Sequence, residues 1–193
     1  MIHAIIGTMR ARKSGALIDH IYHIGDKKYK VLYPSCCNKV DGYVVTRDGN
    51  KKIKATKIYD INDLYQNTID VEVLFIDEFQ FIVSKNNTEE FLKFLEYCDC
   101  NNITVYLFGL QVNYLSQSFD VTSSVLPFCD TIIVLSAICS HCGKPAYRVA
   151  RYVDGKLDVD EFGQTLIMES SNVEYVSLCK SCYRKVTGLP AIK

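Results

Sequence analysis

The amino-terminal run MIHAIIGTMRARKS, residues 1–14, sets several signals in one order. Residues 2–6 are apolar and read as a short buried strand, which Gly7 ends. Lys13 and Ser14 follow, and ALIDHIYHI after them repeats apolar residues at helical spacing. Strand, glycine turn, Lys-Ser and helix is the layout of a phosphate-binding loop. In such a loop backbone N–H groups surround phosphate oxygens, a lysine neutralises them, and a serine hydroxyl meets magnesium. The helix N-terminus adds partial positive charge. The pattern G-x-x-x-x-G-K-[ST] asks for glycine before the lysine, and this chain has Arg12 there. Arg12 must accept a strained backbone, at about 1–3 kcal/mol, or reshape the loop. An ordinary strand–turn–helix with a chance Lys-Ser also fits these residues.

The chain has 193 residues, enough for one domain or one domain with a small appendage. Lysine plus arginine number 22 and aspartate plus glutamate 22, so the net charge is zero. That balance argues against a broad nucleic-acid-binding surface, which needs a basic excess. No apolar run reaches the roughly 18 residues that cross a bilayer. The first residues lack the basic region and long apolar run of a signal peptide. An intracellular, cytoplasmic protein without membrane attachment is expected. Its nine cysteines are then expected as thiols or metal ligands.

Further along, KYKVLYP (28–34) reads as a second strand stopped by Pro34. Asp48, Gly49 and Asn50 mark a turn between two strand-like runs. Cys36 and Cys37 are adjacent, which suits no usual chelating pair, so thiols are expected. A short helix is predicted over 59–67 and a strong strand over 71–76, ending in Asp77 and Glu78. Two carboxylates closing an apolar strand are either a solvated acidic loop or a site. Ligands of open α/β sheets bind beyond the carboxyl ends of the strands. If strands 2–6 and 71–76 are neighbours, Asp77 and Glu78 emerge beside Lys13 and Ser14, where a magnesium-organising carboxylate would sit.

The spacing predicts a helix over 87–100, with Phe91, Leu92, Phe94 and Leu95 facing the core. Strands are predicted over 104–108 and 131–135, a loop over GLQVNYLSQSF (109–119), and a short helix over 121–128. This alternation indicates an α/β fold with a doubly wound parallel sheet. The character changes near residue 136. Cys139-x-x-Cys142 opens a segment with a hairpin turn at Asp154-Gly155, and Cys179-x-x-Cys182 closes it. Two such knuckles form a four-cysteine zinc pattern, with residues 143–178 between them. Four thiolates leave no open position, so the metal is expected to be structural. His141 is expected to be a bystander. Two redox or inert thiol pairs are the alternative. The predicted organisation is a nucleotide-binding domain over 1–135 and a small zinc-binding lasso domain over 136–193.

Taken together in this order, these segments resemble the type II thymidine kinases, the cytosolic and viral kind, over nearly the whole chain. IIGTMRARKSGALI is similar to the family's opening, I-x-G-P-M-x-S-G-K-S-x-x-L-I. FIDEFQF resembles its I-D-E-x-Q-F segment, and LFGLQVNYLSQSF its G-L-D-x-x-F-x-x-x-x-F loop. LSAICSHC and YVSLCKSC resemble its zinc knuckles. The resemblance implies a fold like that of phosphate-loop (P-loop) nucleoside triphosphatases and transfer of the ATP γ-phosphoryl group to the 5′-hydroxyl of thymidine. It implies ATP, Mg²⁺ and structural Zn²⁺ as cofactors, and a homo-oligomer, dimer or tetramer. By matching positions, Gly7, Thr8, Met9, Arg10, Ala11, Arg12, Lys13 and Ser14 would hold the phosphates and the metal. Asp77 would help organise magnesium, Gln80 would lie near the nucleotide, and Glu78 would be the general base. Met9, Phe81, Leu110, Tyr114, Phe119 and Tyr175 would enclose the nucleoside, with Phe81 and Tyr114 against the base. Plain core packing is the alternative for these aromatics. A lasso at about 164–175 would hold the pyrimidine with backbone amides.

Departures from the family pattern fall mostly on the phosphate-donor side. Thr8 and Arg12 replace a proline and a glycine. The D-x-R motif expected near residues 36–38 reads Cys-Cys-Asn. Gln111 replaces an aspartate, Ser170 and Ser171 a Gly-Gly pair, and Val149 a hydroxyl residue. Arg12 would either restore a positive charge or plug the ATP site. Two functions are therefore expected to compete: a divergent deoxynucleoside kinase, and a catalytically weak relative that binds a nucleoside or nucleotide as a sensor, sponge or subunit. A zinc-ribbon nucleic-acid module ranks below both, because few basic residues surround 179–185.

Overall fold

The structure, a computed structural model, describes residues 1–37, 39, 42–83, 87–159 and 172–188. The elements of the first part are β1 (Ile2–Gly7), α1 (Lys13–His23), β2 (Tyr29–Pro34), β3 (Tyr43–Val45), β4 (Lys52–Lys54), β5 (Thr56–Ile58), α2 (Ile61–Gln66), β6 (Val73–Asp77), α3 (Thr88–Cys100), β7 (Thr104–Leu110), α4 (Asp120–Val125) and β8 (Thr131–Leu135). The rest supplies β9 (Ala137–Ile138), β10 (Pro145–Ala146), β11 (Arg148–Val153), β12 (Lys156–Asp158), β13 (Val173–Leu178) and α5 (Lys180–Thr187). Two compact units emerge. One gathers described residues of Met1–Ile6, Arg12–Leu110 and Phe119–Val134, the other those of Gly7–Ala11, Gln111–Ser118 and Leu135–Lys193.

A six-stranded parallel sheet with strand order β5-β2-β6-β7-β1-β8 organises the first unit. β6 pairs in parallel with β2 on one side, Tyr29 opposite Val73, and with β7 on the other, Val73 opposite Thr104. The condition that strands 2–6 and 71–76 be neighbours is not met: β7 lies between β1 and β6. Apolar runs carry no information about strand order. β7 also extends through Leu110, past the expected end at 108, and β6 begins at Val73.

The core of this unit includes Ile6, Leu32, Leu74, Ile76, Phe79, Phe91, Phe94, Leu95 and Val105. On α3, Phe91, Phe94, Leu95 and Cys98 are buried, the i, i+3, i+4, i+7 stripe of a helix laid on a sheet. α2 starts at Asp60, whose carboxylate accepts from the N–H groups of Asn62 and Asp63 at 2.8 and 3.0 Å. The turn at 48–50 joins β3 and β4 as a hairpin, as its residues predict.

The second unit is built on the antiparallel sheet β12-β11-β13, with Arg148 opposite Leu178 and Val153 opposite Val173. Its buried cluster contains four alanines (Ala11, Ala137, Ala146 and Ala150) beside Cys139, Leu178, Cys179 and Tyr183. Alanines bury little apolar surface, so this core is thin. Gly7 must be glycine here: a Cβ would stand 2.7 Å from the Leu135 carbonyl oxygen.

Candidate active site

At the carboxyl end of β6, Asp77 is 1% exposed and Glu78 adopts a left-handed conformation, φ 53°. That conformation is unusual for a side-chain-bearing residue and turns the chain sharply into the 3-10 turn Phe79–Phe81. The strand end thereby presents both carboxylates in adjacent positions. Gln80, also buried, donates from Nε2 to Glu78 Oε2 at 2.7 Å and accepts from the Leu110 N–H at 2.9 Å. Leu110 in turn accepts at its carbonyl from the Thr122 hydroxyl at 3.1 Å. Gly109 makes this chain of contacts possible. A Cβ there would lie 2.5 Å from both Gln80 Oε1 and the Phe79 ring.

Two lysines act on Asp77. Lys39 Nζ donates to Asp77 Oδ2 at 2.7 Å, and the charge of Lys13 also reaches the carboxylate. Lys13 is buried at the first turn of α1, with Ser14 half-buried beside it. β1 and β6 are two strands apart, about 10 Å. Burial raises Asp77 above the ordinary carboxylate range and the Glu78 charge adds to it, while Lys39 and Lys13 pull it back without cancelling the rise. Burial by itself would lower Lys39, but the Asp77 charge and hydrogen bond, with Glu78 behind them, raise it. The shifts are therefore not mirror images: burial is the largest influence on both groups, and the two carboxylates outweigh it at Lys39 while the two lysines do not outweigh it at Asp77.

Arg12 takes the strained alternative, with φ 61°, and no side-chain hydrogen bond caps α1. Of the other residues in the opening motif, Gly7, Thr8, Met9, Arg10 and Ala11 fall in the second unit. Arg10 is left-handed as well, at φ 65°, and the Met9 carbonyl accepts from the Ser177 hydroxyl at 3.1 Å. Phe81 and Phe119, both in the first unit, meet edge to face at 5.5 Å. Tyr114 is buried in the second unit, its ring face covered by the Arg151 guanidinium at 3.9 Å and its hydroxyl accepting from Arg151 at 2.9 Å. Tyr175 sits half-buried on β13, opposite Arg151. Val149 pairs with Ser177 across the same strands. Gln111 Oε1 is buried with no hydrogen-bond partner among the described residues. Asn38, residues 160–171 of the lasso region, and Ser170 and Ser171 within it lie outside the described residues.

Cys139, Cys142, Cys179 and Cys182 bring their sulfurs within 4.8 Å of one another, and His141 is not in that group. Each knuckle is a turn of a different kind. Gly143, φ 71°, lets its N–H return to the Cys139 carbonyl at 2.9 Å. Cys179 caps α5 by accepting the Cys182 N–H at its sulfur, 3.4 Å away. The Ser140 N–H bonds the Ser177 carbonyl at 3.0 Å and draws the knuckles together. A zinc tetrahedron with metal–sulfur bonds of about 2.3 Å has edges of about 3.8 Å. Cys142 and Cys179 sulfurs stand 3.6 Å apart, so the cluster has the dimensions and donor chemistry for zinc. All nine cysteines are free thiols rather than disulfides, as the sequence led us to expect.

Lys39, Gly109 and Arg151 were not singled out by sequence reasoning. Lys39 lies one position past the Cys-Cys-Asn segment, and its distance from residue 77 along the chain hides the pairing.

The thymidine kinase family model matches residues 1–183. The chain belongs to the thymidine kinase family. It is similar to the thymidine kinase of Enterobacteria phage T4, 28% identical over 187 residues and 93% of each chain. It is also similar to the thymidine kinase of Mesoplasma florum, 32% identical over 118 residues, which are 61% of this chain and 55% of that relative. Family membership supports kinase activity and nucleotide binding in general terms. Among the described residues, no helix is long and apolar enough to cross a membrane.

Proposed function

We propose that this chain transfers the γ-phosphoryl group of ATP to the 5′-hydroxyl of thymidine or a related deoxynucleoside, with Glu78 as the general base. The observation that carries this reading is the pair Asp77 and Glu78 at the β6 end, with two lysines acting on Asp77. Magnesium-bound ATP supplies the phosphoryl group, whose transfer needs positioning and charge neutralisation more than covalent help. Lys13 and the first N–H groups of α1 hold the triphosphate, Ser14 and Asp77 serve the magnesium, and Gly7–Ala11 and Arg12 complete the phosphate loop. Glu78, steadied by Gln80, takes the acceptor hydroxyl proton. Met9, Phe81, Leu110, Tyr114, Phe119 and Tyr175 enclose the nucleoside. Zinc on Cys139, Cys142, Cys179 and Cys182 is structural and makes up for the thin core of the second unit. We place the enzyme in the cytoplasm as a dimer or tetramer. The edge strand β8 supports self-association, exposing Ile132, Ile133 and Val134 by nearly half each.

ATP-dependent phosphorylation of thymidine by the purified protein, set against Glu78→Gln, tests this. The substitution should lower kcat by about 10²–10⁴ with little change in thymidine KM. Equal rates for the two proteins would remove the assignment of the base.

The weaker-catalyst reading is favoured by Cys36–Asn38 in place of the charged D-x-R motif and by the strained Arg12. Thermal stabilisation by thymidine without any turnover would select it.

A further inference from the structure

We propose that Lys39 is a phosphate-site residue of this chain, an ammonium parked on Asp77 that passes to triphosphate oxygens when a divalent cation takes that carboxylate. The proposal rests on the donor-site reading above and adds a residue to it.

Burial supplies the first argument. The Lys39 side chain is 18% exposed and Asp77 1%, so this is no surface pair. A lysine drawn from water loses hydration and rotamer freedom, and a buried ion pair rarely repays that in stability. Such a pair calls for a second reason to exist, and the position supplies one: Asp77 closes β6 at the end of the sheet where ligands of α/β folds bind.

Charge supplies the second. The β6 end sets two carboxyl residues, Asp77 and Glu78, beside two lysines, Lys13 and Lys39. Without Lys39, one cation fewer would stand against that acidic pair where a polyphosphate has to approach. Asp77 would help hold a divalent cation, and Lys39, released from that carboxylate, would place its ammonium where phosphate oxygens bring negative charge.

The form of the contact fits that exchange. Among the described residues it joins Lys39 Nζ to one carboxylate oxygen at 2.7 Å, on a flexible four-carbon stem. Rotation about that stem lets the ammonium leave the oxygen. A lysine meets phosphate as a point charge, so the geometry of its new contact need not be exact.

Calorimetric titration of the full chain tests the assignment, with ATP in magnesium-free buffer, ATP with Mg²⁺, and thymidine on the same preparations. Lys39→Gln keeps a donor for Asp77 and loses the charge. It should weaken ATP binding about ten-fold or more, leave thymidine binding within about two-fold, and Lys39→Arg should recover most of the loss. Unchanged ATP affinity in a Lys39→Gln protein that still binds thymidine overturns the proposal. A wild-type chain that binds no ATP would instead remove the donor-site reading, and this residue's role with it. NMR of wild-type protein carrying ¹³C at lysine Cε decides the matter even if Lys39→Gln does not fold. The Lys39 resonance, assigned from Lys39→Arg, should shift on adding ATP with Mg²⁺ and stay put on adding thymidine. A resonance that ATP leaves in place overturns the proposal.

Discussion

Lys39–Asp77 in the first unit and Arg151–Asp158 in the second are both ion pairs withdrawn from water, but the deeply buried partner differs. In the first the carboxylate is the buried member, at 1%, under a lysine at 18%; in the second it is the arginine, at 2%, with its aspartate at 14%. The contacts differ in kind as well. Among the described residues Lys39 makes one ammonium contact, whereas Arg151 bonds Asp158 through Nε at 2.6 Å, contacts it through a terminal nitrogen, bonds the Tyr114 hydroxyl and covers the Tyr114 ring. Tyr183 then donates to the Tyr114 carbonyl at 2.6 Å, which ties α5 into the same network. A planar guanidinium with several fixed partners cannot leave without undoing all of them, while an ammonium on a flexible stem can exchange its contact more readily. One pair is built for exchange and the other for permanence.

If that contrast is right, damage to the second unit should cost stability far more than damage at the Asp77 end. The largest effect should come from the metal. Stripping zinc with a strong chelator, or replacing Cys182 with Ser, should lower the melting midpoint by more than about 15 °C, because structural zinc sites contribute on the order of 10 kcal/mol to small folds. Metal analysis beside a circular-dichroism melt checks this, and a chelated protein that melts like the untreated one would refute it. Arg151→Met comes next. It takes the guanidinium away from Asp158 and uncovers Tyr114, for an expected loss of about 3–5 kcal/mol and a fall of roughly 10 °C. Arg151→Lys should recover little, since an ammonium cannot reproduce the forked contacts. Full recovery by lysine would mean that the two pairs are alike after all.

Much of this arrangement could be read from the chain. The apolar runs at 2–6 and 104–108 became β1 and β7, the periodic face of 87–100 became the buried stripe of α3, and the paired knuckles became a four-sulfur cluster. These features are local, and local pattern is what periodicity and spacing record. What stayed hidden depends on contacts between distant residues. Nothing in the run 104–108 says that it inserts between β1 and β6, and β5, with only three residues, is too short to carry a period. Arg151 alternates along β11 like any strand residue until Asp158 and Tyr114 close over it. Gly109 looks like a loop glycine, and only the approach of Phe79 and Gln80 shows why a side chain would not fit. Lys39 is the clearest case. The motif position was read as having lost its charge, and a charge stands one step beyond it.

The smallest expected effect lies at the Asp77 end and concerns strain rather than pairing. Arg12 and Glu78 are both left-handed, so this end holds backbone conformations that ordinary residues resist. Arg12 precedes α1 and makes no side-chain cap, so Arg12→Gly removes no capping bond. Relief of a left-handed conformation is worth about 1–2 kcal/mol. The greater freedom of glycine in the unfolded chain takes back about half of that. A net gain of about 0.5 kcal/mol, or a rise of about 1–2 °C in melting midpoint, should follow. A fall of the same size would show that contacts of the Arg12 side chain hold the backbone in place, which would make this end as fixed as the Arg151 network. The direction in which ATP affinity moves in the same variant then separates two roles. A loss means that the guanidinium serves phosphate, and a gain means that it stands in the way.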